Sequence, residues 1–312
     1  MMNIVYFGTP DFASYILKSL VDKGHNIVGV VTNKDKPAGR GHKLRPSSVK
    51  EVAMECLPQV PILQPEKLTD EGFISELRAL NADLFIVIAF RMLPKTVWSM
   101  PKYGTFNLHA SLLPKYRGAA PIQYAILNED RETGVTTFLL NDGIDMGQIL
   151  LQEAIAIAAD ETGGSLHDKL MQLGAEVTHR TIKGLADGSL HPKAQPEMGD
   201  TSYAHKIFKE DRVLHFTEET AHILALRVRA MSPYPAAIGI LGNEEVKVFS
   251  VAEVPSLGSK LPGEIVVEGR RMMVQCVEGA LELLEVQFPS KKRTHVSDYL
   301  LGNTLTEGIS FR

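Results

Sequence analysis

The sequence predicts an α/β protein: a Rossmann-like, mostly parallel sheet domain followed by a small OB-like β-barrel domain. Three observations carry that expectation. The first 190 residues alternate short apolar, β-branched runs with helical periods, as a parallel sheet with helical crossovers requires. A polar stretch with two prolines, residues 188–204, interrupts the pattern. Beyond it come short strands at close spacing. A length of 312 residues also fits two domains better than one.

Taken in order, Asn3–Phe7 is an apolar, β-branched strand, and Asp11–Lys23 has helical period with Gly24 as its stop. Asn26–Thr32 and Asp83–Ala89 are buried strands. Ala119–Asn128 is a helix, Gly134–Leu140 a strand and Leu166–Lys183 a long amphipathic helix. Gly8-Thr9-Pro10 follows the first strand without G-x-G-x-x-G, so dinucleotide binding is not supported. Residues 190–206 are an expected linker between domains at 1–189 and 207–312. Thr217–Met231 is expected as one helix, capped by Thr217 with Glu218 and Glu219 in its first turn. Then Ala237–Leu241, Glu245–Val251, Gly263–Val267, Met272–Val277 and Ala280–Gln287 are five short strands, the size of a small barrel.

Composition narrows the function. Hydrophobic residues make up 44%, ample for real cores, and no apolar run approaches the 18 or so residues of a membrane span. The N-terminus runs straight into a strand without the features of a signal peptide. Cys56 and Cys276 lie far apart, which suits a reducing cytoplasm. A cytoplasmic monomer is expected. Net charge is −4; the first 190 residues carry 19 Lys and Arg against 21 Asp and Glu, and the rest 14 against 16. Neither half is basic, so any RNA contact must use local patches.

The chemistry concentrates in Thr105-Phe-Asn-Leu-His109 and the turn after it. Alternate residues of a strand share a face, so Asn107 and His109 point the same way. One offers an amide donor and the other a titratable imidazole. That pair can polarise a carbonyl and manage a proton without a metal or a nucleophilic Ser or Cys. The turn Ser111-Leu-Leu-Pro-Lys-Tyr-Arg-Gly-Ala-Ala-Pro121 carries Lys115 and Arg117 and has the composition of a ligand-binding rim. Asp145 lies in Asn141-Asp-Gly-Ile-Asp-Met-Gly147. By composition that segment suits an ordinary turn and a functional carboxylate about equally, and the spacing and final Glu of a Ca²⁺ loop are missing. Ile88-Ala-Phe-Arg-Met-Leu-Pro94 follows a strand whose C-terminal end should face a crevice. Residues 34–50 hold Lys34, Lys36, Arg40, Lys43, Arg45 and Lys50 against one acid, Asp35, in a loop made flexible by Pro37-Ala-Gly-Arg-Gly41. Lys291-Lys292-Arg293 is a shorter basic patch after the last strand.

Residues 107–121 closely resemble the signature of the folate-dependent formyltransferases. The rest of the chain is most similar to the branch of that family acting on methionyl-tRNA. The resemblance implies transfer of a formyl group from 10-formyltetrahydrofolate to the α-amine of methionyl initiator tRNA, with no metal. Asn107, His109 and Asp145 would be catalytic, Asn107 and His109 donating to the developing oxyanion. Ser111, Leu112, Leu113, Pro114, Phe90, Arg91, Met92, Leu93 and Asp142 would bind the folate. In many relatives a Gly follows the aromatic residue and the segment is one residue longer; here Arg91 stands instead. Arg40, Lys43, Arg45, Lys291 and Lys292 would meet tRNA, the Pro-Ala-Gly-Arg-Gly loop entering the acceptor stem. A relative acting on a small amine or on water is the alternative, which the basic loop and the barrel disfavour. A non-catalytic RNA-binding module is disfavoured by the Asn/His/Asp set.

Overall fold

A computed structural model of the chain describes residues 1–38, 43–196, 203–305 and 308–312. Among them the strands are β1 Asn3–Gly8, β2 Asn26–Val31, β3 Lys36–Ala38, β4 Lys43–Arg45, β5 Ile62–Leu63, β6 Leu84–Ile88, β7 Thr105–His109, β8 Arg117–Gly118, β9 Glu132–Leu139, β10 Ile149–Ala156, β11 Tyr203–Ala204, β12 Ala237–Leu241, β13 Glu244–Val254, β14 Ile265–Glu268, β15 Arg271–Gln275, β16 Ala280–Gln287 and β17 Thr294–His295. The helices are α1 Asp11–Asp22, α2 Ser48–Cys56, α3 Glu71–Ala79, α4 Lys95–Trp98, α5 Pro121–Leu127, α6 Gly163–Asp187, α7 Ala221–Met231 and α8 Val296–Gly302. The chain divides into two units, and the division is not a single cut. The first unit is Met1–Gly118, Thr133–Ile155 and His167–Tyr203; the second is Ala119–Glu132, Ala156–Leu166 and Ala204–Arg312.

In the first unit seven strands form one sheet in the order β10-β9-β7-β6-β1-β2-β5. Pairing is parallel from β5 to β7 and turns antiparallel between β7 and β9. The mostly parallel sheet read from the sequence is therefore present. Every residue of β6, and all of β1 after Asn3, is buried, as expected of central parallel strands covered on both faces. On one face Val5, Phe7, Phe85 and Val87 pack with Phe73 and Leu77 of α3. That helix starts where it does because the Asp70 carboxylate accepts from the Phe73 N–H at 2.9 Å. α6 lies close against β7: a Cβ on Gly174 would stand 2.7 Å from the Leu108 side chain. The hydroxyls of Thr137 and Thr181 meet at 2.8 Å and fasten the same helix to β9.

In the second unit five antiparallel strands run β12-β13-β16-β15-β14, with β17 on β16. The C-terminal residues link the two edges. Leu241 of β12 bridges Phe311, and Glu264 before β14 bridges Ser310. The Phe311 N–H donates to Gly263 at 2.9 Å and the Arg312 N–H to Ile240 at 3.0 Å. The C-terminal residues thereby bridge β12 to the start of β14 and draw the sheet toward a barrel. Gly263 has φ +90, and a Cβ there would lie 2.2 Å from the Phe311 carbonyl oxygen, so this approach requires glycine. Leu224, Val228 and Met231 of α7 pack on Val246, Val248, Leu281 and Leu283 in this unit's core.

Three expectations change. The helix expected from Thr217 begins at Ala221, and its cap is Thr220, whose hydroxyl accepts from the Ile223 N–H at 3.3 Å. Residues 217–219 form a separate turn because both Glu218 and Glu219 donate their N–H to His215, while the Glu219 carboxylate grips Arg227. α6 is longer than its periodic core, since Thr162 accepts from the Ser165 N–H ahead of Leu166. The basic segment is not all loop: β3 and β4 pair antiparallel on either side of residues 39–42. Among the described residues no helix is long and apolar enough to cross a membrane.

Candidate active site

The strands of the first unit place polar groups at their C-terminal ends. Asn107 lies on β7 opposite Val87 of β6 and Phe138 of β9. Its side-chain Oδ1 is buried and has no hydrogen-bond partner. At the end of β1, Thr9 Oγ1 is in the same condition. Just past β6, Ala89 adopts φ +46, a left-handed conformation that a residue with a Cβ rarely takes. Orphaned buried polar atoms are uncommon in folded proteins and fit a ligand that brings its own hydrogen-bonding groups. A folate-like ligand with a polar ring edge meets that requirement.

His109 is 6% exposed, two residues from Asn107. Its Nε2 lies 2.8 Å from the Tyr116 carbonyl oxygen. A carbonyl only accepts, so Nε2 carries the proton and donates. Nδ1 then faces Asp145, whose Oδ2 is 3.7 Å away, too far for a direct hydrogen bond. The same Oδ2 accepts from the Gly118 N–H at 2.8 Å. Asp145 itself stands at φ +52, where Asp is among the more tolerant residues. The family resemblance implies that His109 and Asn107 donate together to one oxygen. Here the Nε2–H is committed to Tyr116, so Nδ1 is the edge left for chemistry.

The turn after β7 is a support as well as a rim. Ser111 Oγ donates to the Lys115 carbonyl at 2.5 Å. Thr136, opposite His109 on β9, donates its hydroxyl to the Ser111 carbonyl at 2.6 Å and accepts from the Leu113 N–H at 3.1 Å. Gln152 of β10 donates to the Leu113 carbonyl at 2.7 Å. The Ser111 and Leu113 backbone is thus already bonded within the protein. Leu113 and Pro114 are buried and Leu112 is half-buried. No sequence pattern marks Thr136, Gln152 or Gln195.

The remaining predicted residues scatter. Phe90 is half-buried, and Met92 is 78% exposed just after it. Leu93 belongs to the core with Val97. Arg91 donates through both terminal nitrogens to the carbonyls of Pro65 and Glu66, and lies over the Phe90 ring. Asp142 is exposed and loosely paired with Lys95 at 3.7 Å. A groove of about 550 Å³ lined by Gln64, Glu66, Asp70 and Phe73 lies beside β5, four strands from β7. It holds none of the predicted site residues.

Among the basic groups, Arg40 lies outside the described residues, as does the side chain of Lys43. Arg45 is exposed on β4. Lys50 is bonded to Asp35 and Gln64, and that contact holds the Asp35 carboxyl below its usual range; Lys34 pairs with Glu66. Part of the segment's positive charge is therefore neutralised at home. In the second unit Lys291 donates to Asn303 at 2.7 Å, and Arg293 grips Glu285 while stacking on Phe249. Lys292 between them is exposed.

Comparison with known proteins identifies the family. The family described as "Formyl transferase" matches residues 2–182, and "Formyl transferase, C-terminal domain" matches residues 206–304. A methionyl-tRNA formyltransferase of Bacteroides fragilis is 46% identical over 320 residues, covering 100% of this chain and 98% of its own. One from Flavobacterium johnsoniae is 43% identical, covering 98% of each. In fold, the chain is similar to HypX from Aquifex aeolicus in complex with tetrahydrofolic acid, at TM-score 0.66 and 17% identity, over 96% of this chain but only 47% of that one. It is likewise similar to the sugar 3N-formyl transferase WlaRD, at TM-score 0.65 and 20% identity, over 94% of this chain and 99% of that one. The chain belongs to the formyltransferase family.

Proposed function

We propose that the chain transfers the formyl group of 10-formyltetrahydrofolate to the α-amine of methionyl initiator tRNA, acting as a cytoplasmic monomer. The full-length similarity to methionyl-tRNA formyltransferases supports the substrate. The observation that carries the chemistry is Asn107, whose Oδ1 is buried with no partner in the protein, two residues from a histidine whose Nδ1 faces Asp145.

10-Formyltetrahydrofolate supplies the formyl group when bound. Phe90 and Met92 would give it an apolar wall, with Thr9 and the backbone at Ala89 offering polar contacts. Asn107 presents its amide N–H to the formyl oxygen, where negative charge develops as the amine attacks. Such a donor is worth roughly 10²–10³ in rate. The Nε2–H bond to Tyr116 fixes the tautomer of His109. Its Nδ1 and the Asp145 carboxylate then form one proton-handling unit, which takes the proton the amine sheds and returns it to the folate nitrogen as the bond from that nitrogen to the formyl carbon breaks and tetrahydrofolate leaves. Arg40, Lys43, Arg45, Lys291 and Lys292 would meet tRNA phosphates, which position without reading sequence. Residues 1–189 would carry the catalytic domain and 207–312 the tRNA-binding domain.

The test is an incubation of the purified chain with 10-formyltetrahydrofolate and methionyl initiator tRNA, with uncharged tRNA, elongator methionyl-tRNA and a small primary amine run alongside. Formyl-methionine released from the initiator tRNA alone supports the proposal. Formylation of the small amine in preference to the charged tRNA would overturn it.

A further inference from the structure

Residue 195 falls in a stretch whose composition is that of a linker, yet its side chain makes four hydrogen bonds around Asp145. The backbone nearby is already anchored: Lys193 and Ile149 exchange both backbone hydrogen bonds, at 2.7 and 2.8 Å, and strap this stretch onto the start of β10. From there the Gln195 amide nitrogen donates to the carbonyls of Asp145 and Gly147, each at 2.8 Å. Its oxygen accepts from Arg117 Nε at 3.1 Å and Nη2 at 2.7 Å. Those four bonds use both N–H donors and both lone pairs of the amide. They also fix its orientation, because a flipped amide would set its NH₂ against arginine donors and its oxygen against two carbonyls.

We infer that Gln195 is a positioning residue that sets the Asp145 carboxylate against His109. The inference rests on the reading of Asp145 as part of the proton-handling unit. Asp145 adopts a left-handed backbone that an L-residue does not favour. Gln195 brackets it, holding the carbonyl at residue 145 and the one two residues on. The other end of the same amide holds Arg117, the neighbour of Gly118, whose N–H grips the Asp145 carboxylate. One side chain therefore ties the backbone beneath Asp145 to the strand that orients its oxygen. The tie is purely tertiary, since residue 195 is 50 positions from Asp145 and 78 from Arg117.

Leucine and glutamate at this position separate the possibilities. Gln195→Leu removes all four bonds. Gln195→Glu keeps an acceptor for Arg117 but loses both donors to residues 145 and 147. The full-length variants are assayed for formyl transfer to methionyl initiator tRNA, with thermal unfolding recorded for each. Both should lower kcat by about 10- to 100-fold, the range for groups one contact removed from a reacting one. KM for folate and for tRNA should stay within about threefold, since binding surfaces are untouched. In an Asp145→Asn background Gln195→Glu should cost nothing further, because it acts through that carboxylate. If Gln195→Leu does not fold, Gln195→Glu carries the test alone. Wild-type kcat in Gln195→Glu, or a loss that multiplies undiminished on Asp145→Asn, would overturn the inference. Full activity in Asp145→Asn by itself would instead remove the reading of the site on which it stands.

Discussion

His109 and Asp145 face each other across 3.7 Å, Nδ1 to Oδ2, while the opposite nitrogen of the same ring is tied at 2.8 Å to the Tyr116 carbonyl. The ring therefore cannot turn to offer Nε2 elsewhere without breaking a buried bond. The carboxylate is held in turn by the Gly118 N–H. On the proposed reading the pair exchanges a proton at that one edge, beside Asn107, whose Oδ1 is buried with no partner.

Asp145→Asn should fold as the parent does, since Asn tolerates the left-handed backbone at least as well as Asp. Turnover should fall by about 10²–10⁴-fold, the range for loss of a general acid–base group. Equilibrium binding of a folate analogue, measured by fluorescence quenching, should change little. Retained turnover would make the carboxylate a turn residue.

Thr136→Val keeps the shape of a fully buried side chain but removes its hydroxyl. The Ser111 carbonyl, the Leu113 N–H and a Gln152 donor each lose a partner. Unfolding free energy should drop by about 1–3 kcal/mol, the penalty for stranded buried polar groups. Denaturant titration measures it, and an unchanged midpoint would show that the turn finds other partners.

Gly147→Ala should destabilise the loop that carries Asp145. A Cβ there would stand 1.5 Å from the Leu139 carbonyl oxygen, so the backbone must move. A loss of about 1–3 kcal/mol or more is expected from overpacking of this kind. Turnover should fall with it, because the Gly147 carbonyl is one of the two anchors of Gln195. Chemical unfolding and steady-state turnover of the one variant check both expectations, and parental values in each would show that the loop yields freely.

His222 on α7 lies between Glu129 at 3.1 Å and Glu253 at 3.2 Å, and hydrogen bonds to those two carboxylates raise its pKa above the ordinary 6.5. A raised folded-state pKa gives stability that is whole below the ordinary imidazole range and is lost as pH climbs through the raised value. The group is half exposed, so solvent screening keeps the effect small. His222→Gln should therefore lower Tm more at about pH 5.5 than at about pH 9, with the gap closing between. An equal gap at both ends would show that the ion pairs add nothing.

The features legible in the sequence are the local ones. Asn107 and His109 share a strand, so their common face can be read from spacing alone, and central strands such as Leu84–Ile88 announce themselves by unbroken burial. Asp145 is legible as part of a familiar segment, though its left-handed backbone is not. Gln195, Thr136 and Gln152 are invisible in sequence because their partners lie 78, 25 and 39 positions away. The link between the barrel's two edges is hidden for a different reason: Ser310 and Phe311 form isolated bridges, too short to leave a strand pattern. Two segments expected within the first domain, 119–132 and 156–166, group with the second unit. There α5 packs beside α7, so a chain cut after residue 189 would bare the apolar face of α5.

The central claim is that the Asn107 amide N–H stabilises charge on the formyl oxygen during transfer. The most direct measurement is the single-turnover rate of formyl transfer from 10-formyltetrahydrofolate to methionyl initiator tRNA, wild type against Asn107→Ala. The rate should fall by about 10²–10³-fold. Affinity for the folate should stay within about threefold, because the interaction matures only as charge develops. A single-turnover rate within about twofold of wild type would contradict the account, since a donor to a developing oxyanion cannot be removed at so small a cost.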